Sequence, residues 1–255
     1  MATTYLTLTN EVLRELNEVQ LTSANFSDAV GIQAFIKESI NKSLNDIAND
    51  EPQLPFLALA TSGDTDPFYG NVSTSTTAGT RWYLLKTGSS SITTDYASVD
   101  WDDFYLTTIG VSGETAPYVS KGLRFITLAD WKRYIRDSEN ADDADTQNYG
   151  EPSYVIRSPD NRKFGLSPIP DKAYKVYFYA FTAPTELTAH GDAIALPDQY
   201  ASIITARTRY YVHQFKESLQ QSSFALDDYK NGMKRMKSNL INPQPKNMTD
   251  DRIYF

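Results

Sequence analysis

The sequence predicts an α+β protein: an α-helical bundle, built from two N-terminal helices and long C-terminal helices, with an inserted antiparallel β-rich region and an extended C-terminal tail. Three observations lead to this prediction. Apolar residues recur at helical spacing near both ends of the 255-residue chain, short aromatic and β-branched runs fill the middle, and the last residues contain two prolines. We therefore expect N-terminal helices in 1–55, the β-rich insertion in 56–190, C-terminal helices in 191–241 and the tail in 242–255.

Two amphipathic helices are predicted in 1–55. The apolar face of the first contains Val12, Leu13, Leu16 and Val19. Thr9 or Asn10 is its expected cap. The apolar stripe of the second contains Ile32, Ile36, Ile40, Leu44 and Ile47. Ser27 is expected to cap this second helix, and Pro52 and Pro55 to end it.

Strands are predicted between about 56 and 181, interrupted by one short helix in "LADWKRYIRD". In "SYVIRSPDNRKFGLS" two strand-like runs flank "SPDN", which has proline where a type I turn favours it, so this stretch predicts a hairpin. The run "YKVYFYAF", residues 174–181, is apolar on both of its alternating faces apart from Lys175. Such a strand belongs inside a core or an interface and serves as scaffold rather than as the floor of a catalytic site.

Helical spacing returns after "AIALPDQY". Two apolar faces are predicted, one with Tyr200, Ile203, Ile204, Tyr211 and Phe215, and one with Phe224, Tyr229, Met233, Met236 and Leu240. The chain ends with Ile253, Tyr254 and Phe255, an aromatic cluster after a polar stretch.

The charge is acidic overall, with 24 Lys and Arg against 32 Asp and Glu. Residues 201–255 carry nine basic and five acidic residues, and the first 200 carry a net charge of −12. An acidic body argues against the broad basic face of a nucleic-acid-binding protein. The N-terminus has no signal-peptide pattern, and no apolar run is long enough for a membrane helix. We therefore expect assembly in a host cytoplasm and no membrane partner.

Motifs for catalysis or cofactor binding are missing from the sequence. There is no cysteine, no glycine-rich phosphate-binding loop and no G-x-S-x-G element. His190 and His213 lie in different kinds of segment, and the acidic stretch 137–152 fails the EF-hand pattern at its fifth and sixth positions. Asp102 and Asp103 are adjacent on a probable strand and would point to opposite faces. We expect no enzyme activity, no metal and no cofactor.

The order of several motifs resembles the head-to-tail adaptor proteins of short-tailed bacteriophages, the connector or tail tubular A-like family. The matching elements are Pro168-Ile-Pro170-Asp171, the Tyr174–Phe181 strand, Pro184-Thr185-Glu186-Leu187, and Leu196-Pro197 followed by Tyr200. The resemblance covers about 1–55 and 150–220. Residues 56–150 hold more strands and loops than a compact adaptor would.

This resemblance implies a structural protein in the neck of the virion rather than an enzyme. Proteins of this family form a ring, usually of twelve copies, beneath the portal. The ring extends the DNA ejection channel and presents a surface to the viral tail. The implied partners are the portal ring, a tail nozzle or tail tube protein and further copies of the chain, while double-stranded DNA passes through without specific binding.

The C-terminal residues are the candidate partner-binding site. We expect Arg252, Ile253, Tyr254 and Phe255 to dock on the portal, since such a segment can become ordered on a partner. Two alternatives stay open: another tail or baseplate structural component, and a cell-wall hydrolase. The hydrolase would need a carboxylate pair roughly 5–10 Å apart in a cleft.

Overall fold

The computed structural model describes residues 3–59, 70–87, 94–109, 111–113, 119–136 and 149–241. The chain divides into two units. We call Met1–Leu57 together with Ala183–Phe255 the helical unit, and Ala58–Thr182 the β unit. The four-part division predicted from the sequence stays a prediction, and residues 242–255 lie outside the described residues.

Five α-helices lie among the described residues: α1 (Tyr5–Glu15), α2 (Ile32–Asp50), α3 (Leu128–Tyr134), α4 (Ala201–Phe215) and α5 (Leu219–Leu240). Short 3₁₀ turns occupy Pro55–Leu57 and Asp198–Tyr200. The short helix expected in "LADWKRYIRD" is confirmed as α3, where the hydroxyl oxygen of Thr127 accepts a hydrogen bond from the Asp130 N–H at 3.1 Å. None of the described helices is both long and apolar enough to span a bilayer.

The predicted caps of the first two helices are wrong. The cap of α1 is Thr4, because its side chain accepts the Thr7 N–H at 3.3 Å while the Thr7 hydroxyl oxygen accepts the Thr4 N–H at 2.8 Å. Because of this reciprocal pair of hydrogen bonds, α1 begins at Tyr5, about one turn before Thr9. Helix α2 starts only after Gly31, whose φ of 58° lies outside the helical region. Val19 lies beyond the end of α1 and is 77 % exposed, so its assignment to a buried helix face is also wrong.

Helix α4 lies at the centre of the helical unit and packs against α1, α2 and α5. Its buried residues include Ile203, Ile204 and Val212. The approach of α5 is close, since a Cβ added to Gly232 would lie 2.8 Å from the Cγ1 of Ile203. Helix α4 is therefore the element on which the other three helices are positioned.

Eleven strands lie in the part of the β unit that the structure describes: β1 (Val72–Ser75), β2 (Trp82–Leu84), β3 (Lys86–Thr87), β4 (Thr94–Asp95), β5 (Ser98–Thr107), β6 (Ser120–Ile126), β7 (Tyr149–Gly150), β8 (Tyr154–Arg157), β9 (Lys163–Ser167), β10 (Ile169–Pro170) and β11 (Lys175–Phe181). Seven of them form one sheet in the order β1-β11-β5-β6-β8-β9-β2. The pairs β10-β7 and β3-β4 form two small sheets. The hairpin predicted around "SPDN" is confirmed, since β8 and β9 are antiparallel neighbours.

The predicted fold class is wrong. The structure has a large mixed sheet of seven strands accompanied by five helices among the described residues, and is not a helical bundle with long C-terminal helices and an antiparallel insertion. The sheet is mixed because β6 and β8 run parallel. The chain between these two strands passes through α3, and a crossover connection of this kind returns the chain in the same direction, whereas a tight turn reverses it. Turn residues alone did not reveal that connection.

The strand β11 is covered on both faces, as its sequence predicts. It pairs with β1 on one edge and β5 on the other, and Val176, Phe178 and Ala180 are fully buried. The register with β5 shifts between Phe178 and Ala180. Beside this shift the Asn71 side-chain amide donates to the Ala180 carbonyl and accepts from the Ala180 N–H, both at 2.8 Å. Asn71 directly precedes β1, so its side chain satisfies backbone groups of β11 where the pairing with β1 ends.

Candidate functional site

The described residues do not bring titratable side chains together as a catalytic or metal centre. No group of three or more His, Asp or Glu side chains in this part of the chain could hold a metal ion. His190 lies in an exposed turn, with its ring centroid 6.4 Å from that of Phe26, whereas His213 lies on α4. Asp102 and Asp103 are both exposed on β5. The stretch 137–148, which contains most of the acidic loop weighed as a calcium site, lies outside the described residues.

The helical unit exposes large apolar side chains at one of its ends. We call these residues the end patch, and they comprise Val19, Val30, Phe215, Leu219 and Phe224. Each is between 61 % and 77 % exposed. Single exposed apolar residues are ordinary on soluble proteins, but a group of them marks a contact surface.

Contacts between the α1–α2 loop, the start of α2 and the α4–α5 turn hold the end patch together. The Gln33 side chain donates to the Val19 carbonyl at 3.0 Å. The rings of Phe35 and Phe215 stack with centroids 4.6 Å apart. Lys216 lies 3.3 Å from the Glu18 carboxylate. Two chain segments that are distant in sequence, 18–35 and 215–216, therefore meet at this end of the unit.

The turn between α4 and α5 aims two of these side chains outward. Glu217 has a φ of 57°, and the Ser218 N–H donates to the His213 carbonyl at 2.8 Å. These bonds satisfy carbonyls at the end of α4 and reverse the chain within three residues. Phe215 closes one helix and Leu219 opens the next, so neither lies over the core. Phe215 and Phe224, which the sequence placed on apolar helix faces, are both more than half exposed in the structure.

A cavity of about 410 Å³ borders the end patch at Phe224 and is lined mainly by polar side chains of α1, α4 and α5. The guanidinium of Arg209 pairs with Glu15 at 3.2 Å and Asp228 at 3.4 Å. Two buried atoms in this cavity, Arg209 Nε and His213 Nδ1, have no hydrogen-bond partner among the described residues. Burial, followed by the charges of Arg209 and Lys216, lowers the pKa of His213, which favours a neutral ring at pH 7. The cavity therefore contains two polar atoms whose hydrogen-bonding capacity is unused among the described residues.

A second cluster fixes α2, α4 and α5 to one another. The guanidinium of Arg207 lies 4.9 Å from each of the ring centroids of Tyr210, Tyr211 and Tyr229 and 2.7 Å from the Asp46 carboxylate. The Tyr211 hydroxyl also donates to Asp46. Burial, together with the hydrogen bond to Asp46, raises the pKa of Tyr211 to about 12. Each charge and hydroxyl has a partner, so this cluster stabilises the unit and is not poised for chemistry.

The site predicted from the sequence and the site seen in the structure differ. Arg252, Ile253, Tyr254 and Phe255 lie outside the described residues, so their docking role stays a prediction. Sequence reasoning missed the end patch because helical periodicity assigns every apolar residue of a helix to its core face. The break after Phe215, with the polar pair Glu217-Ser218, is the signal that could have revealed it.

Comparison with known proteins identifies the family. No curated protein matches the chain. The family model described as "SU10 adaptor protein" matches residues 3–250, nearly the whole chain. The chain therefore belongs to the SU10 adaptor protein family, whose members are structural adaptor proteins of bacteriophage particles.

Proposed function

We propose that this chain is a head-to-tail adaptor that assembles as a ring of about twelve copies beneath the portal. The ring extends the channel through which double-stranded DNA leaves the capsid and presents a docking surface to the nozzle or tube of the viral tail. The particle assembles in the host cytoplasm. The proposal rests on the family and on one structural observation, the end patch.

The end patch is the observation that carries this function. A ring of adaptors needs surfaces on each copy that become buried against other chains. The five exposed apolar side chains of the end patch are suited to burial against a neighbour. An apolar surface of this kind favours a permanent assembly over a protein that works alone.

The charge distribution supports passage of DNA without binding. The helical unit and the β unit each carry 12 Lys and Arg against 16 Asp and Glu, a net charge of −4. Phosphate binding depends on released counterions at basic surfaces, and an acidic lining repels the duplex. DNA can then slide through a ring of these chains.

The C-terminal residues supply the contact with the portal. In this proposal Ile253, Tyr254 and Phe255 enter apolar sites on the portal, and Arg252 pairs with an acidic residue there. Aromatic and arginine side chains are the residue types that contribute most at protein interfaces. Anchoring through a terminal segment leaves the end patch of each copy free to contact neighbouring copies.

Sedimentation of the full chain with the portal ring of the same particle tests the proposal. We expect a heavier ring that contains about one chain per portal subunit. The full-length variant Ile253→Ser, Tyr254→Ser, Phe255→Ser should no longer sediment with the portal, while its far-ultraviolet circular dichroism stays unchanged. The control is Asn247→Ser, which alters the same segment without touching the aromatic cluster, and it should sediment like the original chain.

Two outcomes would contradict parts of the proposal. If the chain forms rings or tubes alone and ignores the portal, it is another tail component. If the triple serine variant still sediments with the portal, the docking role of residues 252–255 is wrong, whatever the ring contains.

A further inference from the structure

We propose that an apolar groove on the helical unit binds the last four residues of its own chain, Arg252 to Phe255, before any partner is met. We call it the α2 groove. Its main apolar walls are Leu44, Ile47, Phe56, Leu57, Leu187 and Leu196. The inference concerns the free chain and does not depend on the proposed contact with the portal.

The groove is preformed by contacts on both of its sides. One wall is α2, and the other is the segment that leads into α4. Asn41 holds that segment in place, because its amide donates to the Leu187 carbonyl at 2.9 Å and accepts the Leu187 N–H at 3.0 Å. A site that needs no rearrangement loses little conformational entropy when it is filled.

The volume and lining of the groove suit a few apolar side chains. It encloses about 410 Å³, and leucine, isoleucine, phenylalanine and alanine dominate its walls. This volume lies near the lower end of typical ligand pockets, roughly 300–1,000 Å³. The described residues offer few polar groups with which to orient a polar ligand. A short aromatic segment of protein fits this combination.

The C-terminal segment starts close to the groove. Lys237, in the last turn of α5, donates to the Asp50 carbonyl at 3.2 Å and pairs with Glu51 at 2.9 Å. Asp50 and Glu51 follow the groove residues Ile47 and Ala48 in sequence. Residues 242–252 can span up to about 36 Å when fully extended, so the end of the chain can return to the groove.

The charge at the rim of the groove complements Arg252. Glu186 is exposed at this rim and forms no ion pair with any residue that the structure describes. Asp192 lies nearby and accepts the N–H groups of Thr188 and Ala189, both at 2.7 Å. Burial raises the pKa of Tyr5, and the charges of Glu186, Glu38 and Asp192 raise it further. Arg252 directly precedes the three apolar residues and can pair with Glu186 when they enter the groove.

A tethered segment has a large advantage over the same segment in solution. Its effective concentration near the groove reaches roughly the millimolar range for a short flexible connection. A separate peptide at micromolar concentration therefore competes poorly with the chain's own end. This difference provides the test.

The experiment measures fluorescence anisotropy of a labelled peptide with the sequence of residues 242–255, titrated with two full-length proteins. One is the original chain and the other carries Ile253→Ser, Tyr254→Ser and Phe255→Ser, which empties the groove without removing the segment. We expect the peptide to bind the serine variant at least tenfold more tightly. Equal affinity for both proteins, or no binding to the serine variant, would overturn the proposal.

Two further pairs of variants assign the binding to the groove. In the serine background, Ala195→Trp fills the groove and should abolish peptide binding, whereas Ala189→Trp, an exposed substitution outside its walls, should not. Glu186→Lys should weaken binding severalfold, and a peptide with Arg252→Glu should restore it. Retained binding in Ala195→Trp, or no response to the charge exchange, overturns the placement.

Sedimentation velocity of the original chain separates this inference from the proposed function. We expect a monomer at the concentrations used for anisotropy, and a concentration-dependent dimer that disappears in the serine variant would overturn binding within one chain. Co-sedimentation with the portal is measured separately. The proposed portal contact and the binding of residues 252–255 in the α2 groove can therefore be refuted independently.

Discussion

The helical unit and the β unit carry the same net charge but place their apolar residues differently. In the β unit the large exposed apolar residues that the structure describes are Leu84 on β2, Ile109 just after β5 and Tyr134 on α3. In the helical unit the corresponding residues gather in the end patch. Among the described residues, the β unit thus exposes its large apolar side chains singly, whereas the helical unit exposes five of them near the ends of its helices.

The aromatic core of the β unit explains how this unit buries most of its large apolar side chains. The ring of Phe178 stacks on that of Phe104 at 4.9 Å and contacts Phe164 at 5.7 Å. All three side chains are fully buried or nearly so. All three tryptophans of the chain, Trp82, Trp101 and Trp131, also lie in this unit, so tryptophan fluorescence reports on it selectively.

The largest effect is expected from Phe178→Ala. Removing this ring leaves a cavity between two other phenylalanines, which costs about 3–5 kcal/mol of unfolding free energy. Denaturant titration followed by tryptophan fluorescence measures the loss. Leu84→Ala, on an exposed side chain of the same unit, is the control and should change the free energy by less than about 0.5 kcal/mol. Similar losses in both variants would mean that the aromatic cluster does not stabilise the unit.

A smaller effect is expected in the helical unit from Arg207→Ala. The substitution leaves Asp46 without its cation and removes the contacts with three tyrosine rings, at a cost of about 2–3 kcal/mol. Unfolding followed by circular dichroism at 222 nm measures it. Arg235→Ala, at an exposed position of α5, removes the same charge and should have little effect.

The two probes also test whether the units behave differently. If Arg207→Ala shifts the circular dichroism transition and the fluorescence transition equally, the two units unfold as one. Their stabilities then cannot be compared separately. A shift confined to the circular dichroism transition would show that the helical unit unfolds independently of the β unit.

The sequence predicted local features better than their arrangement. The hairpin β8–β9 and the doubly buried β11 follow from turn residues and from alternation along a strand, which act over a few positions. The parallel pairing of β6 with β8 depends on where the chain returns after α3, and no local pattern encodes that direction. The predicted antiparallel insertion was wrong because this parallel pairing was not foreseen.

The candidate site was hidden for a related reason. Phe215 and Phe224 have the spacing of buried residues, and only the position of the α4–α5 turn decides that they point outward. The C-terminal cluster was visible because it stands apart from any periodic segment, although its role stays a prediction. The sequence therefore revealed the C-terminal aromatic cluster and missed the exposed apolar residues within the helices.

Alkaline pH should weaken the β unit through Tyr96. Burial raises the pKa of Tyr96 to about 12, whereas an unfolded tyrosine ionises near 10. Because the folded pKa is the higher one, this stabilisation is complete below pH 10 and is lost as the pH rises to about 12. Tyr96→Phe should reduce the loss, seen by tryptophan fluorescence between pH 9 and 11, by on the order of 1 kcal/mol.

The matched variant, Tyr211→Phe, lies in the helical unit. The pKa of Tyr211 is also raised to about 12, but the Asp46 carboxylate contributes beside burial. Tyr211→Phe should therefore alter the alkaline loss followed by circular dichroism and leave the tryptophan signal unchanged. A change in the tryptophan signal would mean that the two units unfold together.

The smallest effect on stability should accompany a large effect on assembly. Leu219→Ser combined with Phe224→Ser removes two exposed apolar side chains of the end patch, so the unfolding free energy should change by less than about 0.5 kcal/mol. In the proposed ring the same side chains are buried between neighbouring copies, so sedimentation should show far fewer chains on each portal ring. The control, Leu84→Ser with Tyr134→Ser, removes two exposed apolar side chains from the β unit and should assemble normally. Loss of assembly in the control alone would place the contact surface on the β unit and reverse the comparison between the two units.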